Sequence, residues 1–437
     1  MKKNRISRRG FITRVGAAVG GPIIISSYAR GQDKVASPSN RITLGMIGTG
    51  DHGTNWNLKR FFREPDVQIV AVCDVDSERR ETAKSLVEKQ YAEELSKSSY
   101  KGCASYPDFR QIIERKDIDA VMISTPDHWH VIPAIRAAKA GKDIECEKPL
   151  SLTVAEGRVL ADAVKRHNRI FQTSSENRSY ECYYRMVELV RNGRIGKLRH
   201  VAVTLPRGHS IRPASMEFGP PPKGFDYNLW LGQAPEAPYC EARCHWNFRW
   251  ILDYSGGQLT DWGAHLIDIA QWGNDTEHTG PVEVEGKGVF PKAGLYNTAT
   301  DFDINYRYAN GVTLNVSSSQ PGIRFEGTEG WVGNKGWNAP LEAEPKTILT
   351  SQIGPNEIHV YKEPAGEQRN FLDCVKSRKP CYAPAEVGHR TITIAHIGHI
   401  AIRLGRQLKW DPDKERFIGD DEANKLLSRS IRAPWHL

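Results

Sequence analysis

The chain has 437 residues, a formal net charge of +8 and 39% hydrophobic residues, and this length suits two globular domains. Its first 29 residues hold six of the basic side chains and no acidic one, which leaves a charge of only +2 on the remainder. Because that remainder has no block of like charges and no basic–aromatic stripe, composition argues against a nucleic-acid-binding protein.

The N-terminus resembles a bacterial export signal of the twin-arginine (Tat) type. The run SRRGFI occupies residues 7–12, a weakly apolar stretch follows over 15–27, and small residues suit a signal peptidase at 27–29. We therefore expect a signal at 1–29, a linker at 30–40 and a periplasmic mature protein. The alternative is that the signal stays uncleaved and anchors the protein to the membrane.

Between residues 41 and 173, short apolar runs alternate with segments of helical length and pattern. Strands are predicted over 42–47, 67–73, 119–124, 143–146 and 170–172, and helices from residue 77 onward, over 131–140 and over 154–167. This β-α-β-α-β order is typical of a doubly wound parallel sheet with helices on both faces.

A glycine motif follows the first predicted strand directly. Gly48, Gly50 and Gly53 form G-x-G-x-x-G at the start of a helix, and Asp74 ends the second strand. In this order the glycines permit a tight turn, close approach of a pyrophosphate and close helix–strand packing. The carboxylate suits ribose hydroxyls and would repel a 2′-phosphate. The segment therefore predicts a Rossmann dinucleotide-binding domain that prefers NAD, with NADP possible.

Residues 174–437 follow a different pattern. Runs of alternating polarity predict strands over 200–205, 282–290, 302–308 and 312–318, and helices are expected over 180–192, 368–377 and 384–404. An aromatic, Pro- and Gly-rich stretch over 218–250 is typical of a long loop over a site, and a polar tail begins at 411. We predict an α+β domain with an open, mostly antiparallel sheet.

Two segments contain candidate catalytic residues. Lys148 follows the strand that ends at residue 146, at the sheet edge where such folds bind ligands. Asp261, His265 and Asp268 lie four and three residues apart, so a helix would place them on one face. An Asp beside a His can act as an acid–base pair. The alternatives are a surface lysine, a helix-capping Asp and a buried structural His.

Together these segments resemble the Gfo/Idh/MocA oxidoreductases (glucose–fructose oxidoreductase and inositol dehydrogenase type) over residues 41 to about 410. The resemblance implies hydride transfer between a nicotinamide and a sugar or cyclitol carbinol, with substrate and often the oligomer interface in the C-terminal domain. The motifs that carry it are Gly48-Thr49-Gly50-Asp51-His52-Gly53, Thr125-Pro126-Asp127-His128-Trp129-His130, Glu147-Lys148-Pro149-Leu150, and the run from Gly256 to Asp268.

The resemblance also implies residue roles. Lys148 would lie beside the nicotinamide, His265 would be the general base and Asp261 would bind the substrate hydroxyls. Arg249 and Trp250 precede that helix and would face the substrate, unless the rings only pack the loop. The cofactor set would comprise Gly48, Gly50, Asp51, His52, Gly53, Asp74, Thr125, Pro126, His130, Glu147 and Lys148.

Some residues depart from the family pattern or leave alternatives open. Asp127 replaces the usual Asn near the nicotinamide, and Arg79 and Arg80 could weaken the discrimination against NADP. No metal is expected. One cysteine pair, Cys240 with Cys244 or Cys374 with Cys381, could form a disulfide in an oxidising compartment.

Three functions remain open at this point. The first is an oxidoreductase on a sugar, glycoside or cyclitol that keeps its nucleotide tightly bound, because Tat exports proteins already folded. The second is a glycoside-cleaving enzyme that oxidises the third sugar carbon transiently and eliminates the glycosidic oxygen. It needs an additional base, for which Tyr180, Tyr184 and His209 are candidates. The third is a non-catalytic sugar-binding protein. A homo-oligomer formed through the C-terminal sheet is expected in the enzyme cases.

Overall fold

A computed structural model describes residues 40–97, 99–361 and 364–437. The predicted export signal and the predicted linker up to residue 39 lie outside this part of the chain, so both stay predictions. None of the helices in the described ranges is both long and apolar enough to cross a membrane.

The N-terminal domain alternates strands and helices as predicted. Its strands are β1 (Ile42–Ile47), β2 (Val67–Cys73), β3 (Ala104–Tyr106), β4 (Ala120–Ile123), β5 (Asp143–Cys146) and β6 (Phe171–Thr173). Its helices are α1 (Gly53–Leu58, π-helical, continued by Lys59–Phe61), α2 (Ser77–Glu94), α3 (Phe109–Glu114), α4 (Val131–Lys139) and α5 (Val154–Arg166).

The six strands form one parallel sheet in the order β3-β2-β1-β4-β5-β6. Both faces are covered. Leu44 and Met46 of β1 belong to one apolar layer, and Ile47 belongs to the other. Burial on both faces explains why these strands are apolar runs rather than alternating ones. The prediction of a Rossmann domain with a parallel sheet is confirmed.

The C-terminal domain is larger and mixed. Its strands are β7 (Leu198–Leu205), β8 (Pro281–Val289), β9 (Asp301–Tyr308), β10 (Thr313–Ser318), β11 (Gly322–Gly327), β12 (Trp331–Lys335), β13 (Glu342–Glu344), β14 (Leu408–Asp411) and β15 (Arg416–Phe417). Its helices are α6 (Glu181–Arg191), α7 (Tyr227–Leu231), α8 (Gln258–Asp261), α9 (Gly263–Gly273), α10 (Thr347–Thr350), α11 (Glu367–Ser377), α12 (Ala385–Leu404) and α13 (Asp421–Lys425).

These nine strands form an open sheet in the order β13-β12-β11-β7-β10-β9-β8-β14-β15, in which only β7 and β10 pair in parallel. The mostly antiparallel sheet predicted from the sequence is therefore confirmed. In β9 the alternation is strict, because Ile304 and Tyr306 are buried against α12 while Asp303 and Asn305 are exposed. One face of the sheet thus carries the core and the other is polar.

A buried ion pair anchors α9, the helix of the candidate base. Arg178, just after β6, donates from Nε and Nη2 to the Asp268 carboxylate of α9 at 2.7 and 2.8 Å. Thr391 of α12 donates to the same carboxylate at 3.0 Å. Asp268 therefore holds the helix of the candidate base in place and does not take part in the acid–base group that shares its helix face.

All eight cysteines carry free thiols in the structure, so neither candidate disulfide is formed. Cys73 and Cys146, at the ends of β2 and β5, are buried as expected, and burial holds the pKa of each thiol well above its ordinary value.

Candidate active site

A cleft of about 720 Å³ runs along the carboxyl edge of the parallel sheet and continues beneath the C-terminal domain. Its two ends differ in chemistry. Glycines and the end of β2 line one end, and Lys148, Asp261, His265, Trp262 and Trp337 line the other. Such a crevice at the carboxyl ends of the strands is where doubly wound folds bind ligands.

The glycine turn fits a pyrophosphate for steric reasons. Gly48 has a φ of +87°, and a Cβ there would lie 2.6 Å from the carbonyl carbon of Ser124. A Cβ on Gly53 would lie 2.3 Å from the carbonyl oxygen of Gly48. The backbone therefore folds this tightly only with glycines, and the start of α1 is free to approach a phosphate closely.

Asp74 lies at the adenosine end of the cleft. Its Oδ2 accepts from the backbone N–H of Thr49 at 2.7 Å, and its Oδ1 accepts from that of Asp76 at 3.0 Å. Burial raises the pKa of the carboxyl above its ordinary value, and the two N–H groups oppose that rise. The backbone thus fixes the carboxylate where a ribose would lie, as predicted for an NAD site.

The two arginines after Asp74 have different positions. Arg80 donates to the backbone oxygen of Asp74 at 2.7 Å and to Ser105 Oγ at 3.1 Å, and it does not line the cleft. Arg79 does line the cleft, 3.4 Å from a carboxylate oxygen of Asp76. Only Arg79 could therefore reach a 2′-phosphate.

His52 and Glu147 form a polar wall in the middle of the cleft. His52 Nε2 lies 2.9 Å from Glu147 Oε1, and Asn57 Nδ2 donates to the same oxygen at 2.9 Å. Burial alone would raise the pKa of Glu147, but His52 and the other partners lower it to about 2. The carboxylate therefore stays charged next to Lys148.

Lys148 and Asp261 form the ion pair at the far end of the cleft. Lys148 Nζ donates to Asp261 Oδ1 at 2.7 Å and to the Asp261 backbone oxygen at 3.1 Å. Arg249 Nε lies 3.5 Å from the same Oδ1. Burial opposes ionisation of this carboxyl, yet Lys148 and Arg249 hold its pKa well below the ordinary range. The site thus keeps one fixed anion between two cations.

His265 follows Asp261 by four residues, about one helical turn. Its side chain is buried, and burial followed by the charge of Lys148 holds its pKa well below the ordinary value, so the ring is neutral. The edge of Trp337 packs on the ring at 4.7 Å between centroids. Within the described part of the chain, His265 Nδ1 has no hydrogen-bond partner. A neutral imidazole with a free nitrogen can accept a proton.

The structure places most of the predicted site residues on this cleft. Lining residues among them are Gly48, Gly50, Asp51, His52, Asp74, Thr125, Pro126, Glu147, Lys148, Arg249, Asp261 and His265. Gly53 packs behind the turn. Asp127, which replaces the usual Asn, also lines the cleft and accepts from Ser255 Oγ at 2.5 Å; burial raises the pKa of its carboxyl.

Two predicted site residues lie elsewhere. His130 does not line the cleft: its Nδ1 lies 2.6 Å from the carbonyl oxygen of Pro149 and its Nε2 lies 2.9 Å from that of Thr125. The ring therefore ties together the two loops that present Pro126 and Lys148. Trp250 is only 1% exposed and is packed beneath the cleft wall. Neither side chain can touch a ligand in the cleft.

Several cleft residues were not among the predictions. Trp56, Glu176, Arg212, Trp246, Trp262 and Trp337 all line it. Trp262 stands inside the predicted motif and could have been included on that ground. Trp337 follows β12 at a distance in sequence from every motif, and its ring meets Trp262 at 5.4 Å, so only tertiary packing reveals it.

A strap, residues 211–250, crosses from the C-terminal domain over the adenosine end of the cleft. Ser77 N–H donates to the Gly224 backbone oxygen at 2.9 Å, and Asp226 N–H donates to that of Val75 at 3.0 Å. At the other end of the strap, Arg212 Nη1 pairs with Asp51 Oδ2 at 3.1 Å. The long loop predicted over a site thus exists and is anchored to the Rossmann domain.

No group of three or more His, Cys, Asp or Glu side chains with the arrangement of a metal site occurs in the part of the chain that the structure describes.

Two family models match the chain. One describes the NAD-binding Rossmann fold of an oxidoreductase family and matches residues 42–175. The other describes the C-terminal alpha/beta domain of the same family and matches residues 211–437.

Similar proteins include sugar and cyclitol enzymes. A myo-inositol 2-dehydrogenase of Thermotoga maritima is 25% identical over 385 residues, which cover 84% of this chain and 98% of the relative. A glycosyl hydrolase family 109 protein of Shewanella pealeana is 30% identical over 211 residues. That match covers 45% of either chain, so the chain spans less than half of this relative.

Solved structures share the fold. The aldose-aldose oxidoreductase of Caulobacter crescentus, complexed with glycerol, matches with a TM-score of 0.62 at 20% identity over 84% of this chain and 99% of that one. A levoglucosan dehydrogenase, in complex with NADH and levoglucosan, matches with a TM-score of 0.59 at 19% identity over 84% and 99%.

The charge of Lys148 should be visible in the titration of His265. In K148Q the cation that disfavours the imidazolium is gone and Asp261 keeps only Arg249 as a cationic partner, so both changes raise the pKa of His265. NMR of ring-labelled histidine would follow that titration, with K59Q at an exposed lysine as the control. An unchanged titration midpoint of His265 in K148Q would contradict an effect of the Lys148 charge on His265.

Proposed function

Because this chain belongs to the Gfo/Idh/MocA oxidoreductase family, we propose that it transfers hydride between a tightly bound NAD and a carbinol of a sugar, glycoside or cyclitol. The observation that carries the proposal is the buried Lys148–Asp261 ion pair beside neutral His265, at the opposite end of the cleft from the glycine turn.

The residues of the cleft fit the nucleotide along its length. The glycine turn suits the pyrophosphate, Asp74 suits the adenosine ribose, and Thr125 and Pro126 line the stretch toward Lys148. When bound there, NAD supplies an acceptor or donor of hydride. Asp74 and the position of Arg80 both favour NAD over NADP.

The protein's own groups handle the proton. A substrate hydroxyl between Lys148 and His265 would lie beside a cation that stabilises developing negative charge on its oxygen. The neutral ring of His265 takes the hydroxyl proton, and Asp261 orients a hydroxyl by accepting a hydrogen bond. The low pKa of Asp261 keeps that acceptor charged at any working pH.

The walls around this centre support a carbohydrate ring as substrate. Trp262 and Trp337 line the cleft next to His265, and aromatic faces pack well on the C–H faces of sugars and cyclitols. Arg249 and Asp261 offer a donor and an acceptor for hydroxyl groups. The myo-inositol and levoglucosan enzymes among the similar proteins act on substrates of this class by their names.

Retention of the nucleotide is supported by the strap. Its contacts with Val75 and Ser77, just after Asp74, cover the adenosine end, and the ion pair of Arg212 with Asp51 closes it at the glycine turn. A retained nucleotide agrees with the predicted Tat signal, because we propose that the folded protein is exported with its cofactor loaded. Assembly into a homo-oligomer through the C-terminal sheet stays a prediction.

A glycoside-cleaving enzyme is the second candidate. The match to a glycosyl hydrolase family 109 protein supports it, and so does an additional carboxyl group in the cleft, Glu176. A non-catalytic sugar-binding protein is disfavoured, since such a protein has no need of a neutral His265 beside a buried Lys148–Asp261 pair.

Reduction of the bound nucleotide tests the oxidoreductase proposal. The full-length protein, loaded with NAD, would be mixed with myo-inositol, levoglucosan and a panel of methyl hexopyranosides, and the absorbance of reduced nicotinamide followed. At least one member should reduce the nucleotide. K148Q, D261N and H265Q should each slow that reduction about 100- to 10,000-fold.

H200Q serves as the matched histidine control, because His200 lies on β7 away from the cleft and hydrogen-bonds Thr313. If no panel member reduces the nucleotide in the wild-type protein, or if H265Q reacts as fast as H200Q, the proposal is wrong.

The strap contact can be tested by nucleotide release. R212A loses the ion pair with Asp51 and the stacking of the guanidinium on Trp246 at 3.9 Å, so bound NAD should dissociate about five-fold faster. Exchange against excess labelled NAD measures the rate, with R207A as control because Arg207 is 67% exposed and pairs with Asp301. Equal release rates in the two variants would contradict retention by this contact.

A further inference from the structure

We propose that Glu176 is a second acid–base residue of the cleft, which exchanges a proton with the substrate carbon next to the one that is oxidised. This inference rests on the proposed function and names the group that its glycoside-cleaving variant requires. None of the three candidates for that role from the sequence is this residue.

Glu176 is placed to reach a substrate. It opens the short turn after β6, lines the same cleft as Lys148 and His265, and its side chain is 11% exposed. Tyr180 Oη donates to its Oε2 at 3.2 Å, and Arg60 Nη2 lies 3.6 Å from the same oxygen. Both contacts are made by Oε2, so they hold one carboxyl oxygen of a residue that lines the cleft.

The three candidates from the sequence are placed differently. Tyr184 packs against Tyr361 and does not line the cleft. His209 Nε2 is engaged by Thr298, at 2.9 Å from Oγ1 and 3.1 Å from the backbone oxygen. Tyr180 lies near the cleft, but its hydroxyl is bound to Glu176, and burial raises the pKa of that phenol. The carboxylate is therefore the base of this pair.

The surroundings of Glu176 suit proton exchange. Burial and the charge of Glu147 raise the pKa of its carboxyl, while Arg60 and Lys148 oppose that rise. Asp261, in the same cleft, is shifted the other way. Because the pKa values of these two carboxyls shift in opposite directions, the groups suit different tasks. Asp261 is a permanent anion, and Glu176 can take and return a proton. The charged and titratable side chains around Glu176 are Arg60, His52, Glu147, Lys148, Tyr180 and Glu367.

The chemistry follows from the carbonyl that oxidation of the carbinol produces. That carbonyl acidifies the C–H bond on the neighbouring carbon, and the Glu176 carboxylate takes this proton. The C–H electron pair forms a C=C bond as the C–O bond one carbon further on breaks, and the departing oxygen receives the proton from Glu176. Water then adds across the double bond, hydroxyl to the carbon that lost oxygen and hydrogen to its neighbour. Return of hydride and of the hydroxyl proton restores the carbinol, so the net reaction is hydrolysis.

Deuterium incorporation separates this step from hydride transfer. The NAD-loaded full-length protein would be incubated in D2O with the methyl hexopyranosides, and mass spectrometry would count carbon-bound deuterium in the sugar. The count would be divided by the nucleotide reduced transiently in the first turnover, because return of hydride leaves no net reduction. The wild-type protein should incorporate deuterium beside the oxidised carbon. In E176Q the ratio of incorporation to reduction should fall at least about 100-fold, and E176D should recover part of it. E181Q, at an exposed residue on α6, should keep the wild-type ratio.

The outcomes distinguish the two proposals. If the wild-type protein shows neither transient reduction of the nucleotide nor hydrolysis with any glycoside, both the proposed function on glycosides and the role of Glu176 fail. If it reduces nucleotide without incorporating deuterium, or if E176Q keeps the wild-type ratio, Glu176 is not an acid–base residue while the oxidoreductase proposal stands.

Discussion

The ion pair between Lys148 and Asp261 is the contact on which the rest of the site depends. It joins the carboxyl end of β5 in one domain to the end of α8 in the other at 2.7 Å. Taking two charges out of water costs several kcal/mol for each ion, so the pair persists only if both domains hold it in place. In return, the site has charges in fixed positions. The Lys148 cation lowers the pKa of Asp261 and helps to keep His265 neutral.

Contacts within each domain supply that fixed geometry. Asp268, three residues after His265 on the same helix face, is held by Arg178 and Thr391, so α9 cannot rotate without breaking a buried ion pair. His130 does the same for the loops of the Rossmann domain, because its ring lies within hydrogen-bond distance of the backbone oxygens of Thr125 and Pro149. Two residues that resemble ligand-binding groups in the sequence thus hold the catalytic groups in position.

The sequence predicted the parts of the molecule that local physics determines. The bounds of β1, β2 and β5 follow from apolar runs, and the glycine turn with Asp74 follows from steric and charge requirements within one β-α-β unit. Lys148, Asp261 and His265 come from compact motifs, and the structure brings them together. Trp250 is buried and does not line the cleft, and Glu176, Trp337 and Arg212 were not predicted, because long-range packing decides whether a side chain faces the cleft or the core.

Retention of a nucleotide in the cleft is tested most directly by what the protein carries when it is purified with no nucleotide supplied. The full-length protein would be purified without added NAD and denatured, and the released small molecules identified and quantified by mass spectrometry. We expect about one NAD or NADH per chain, because the glycine turn, Asp74 and the strap enclose that molecule. A protein that releases no nucleotide and shows no binding of added NAD by calorimetry would contradict a nucleotide site in this cleft.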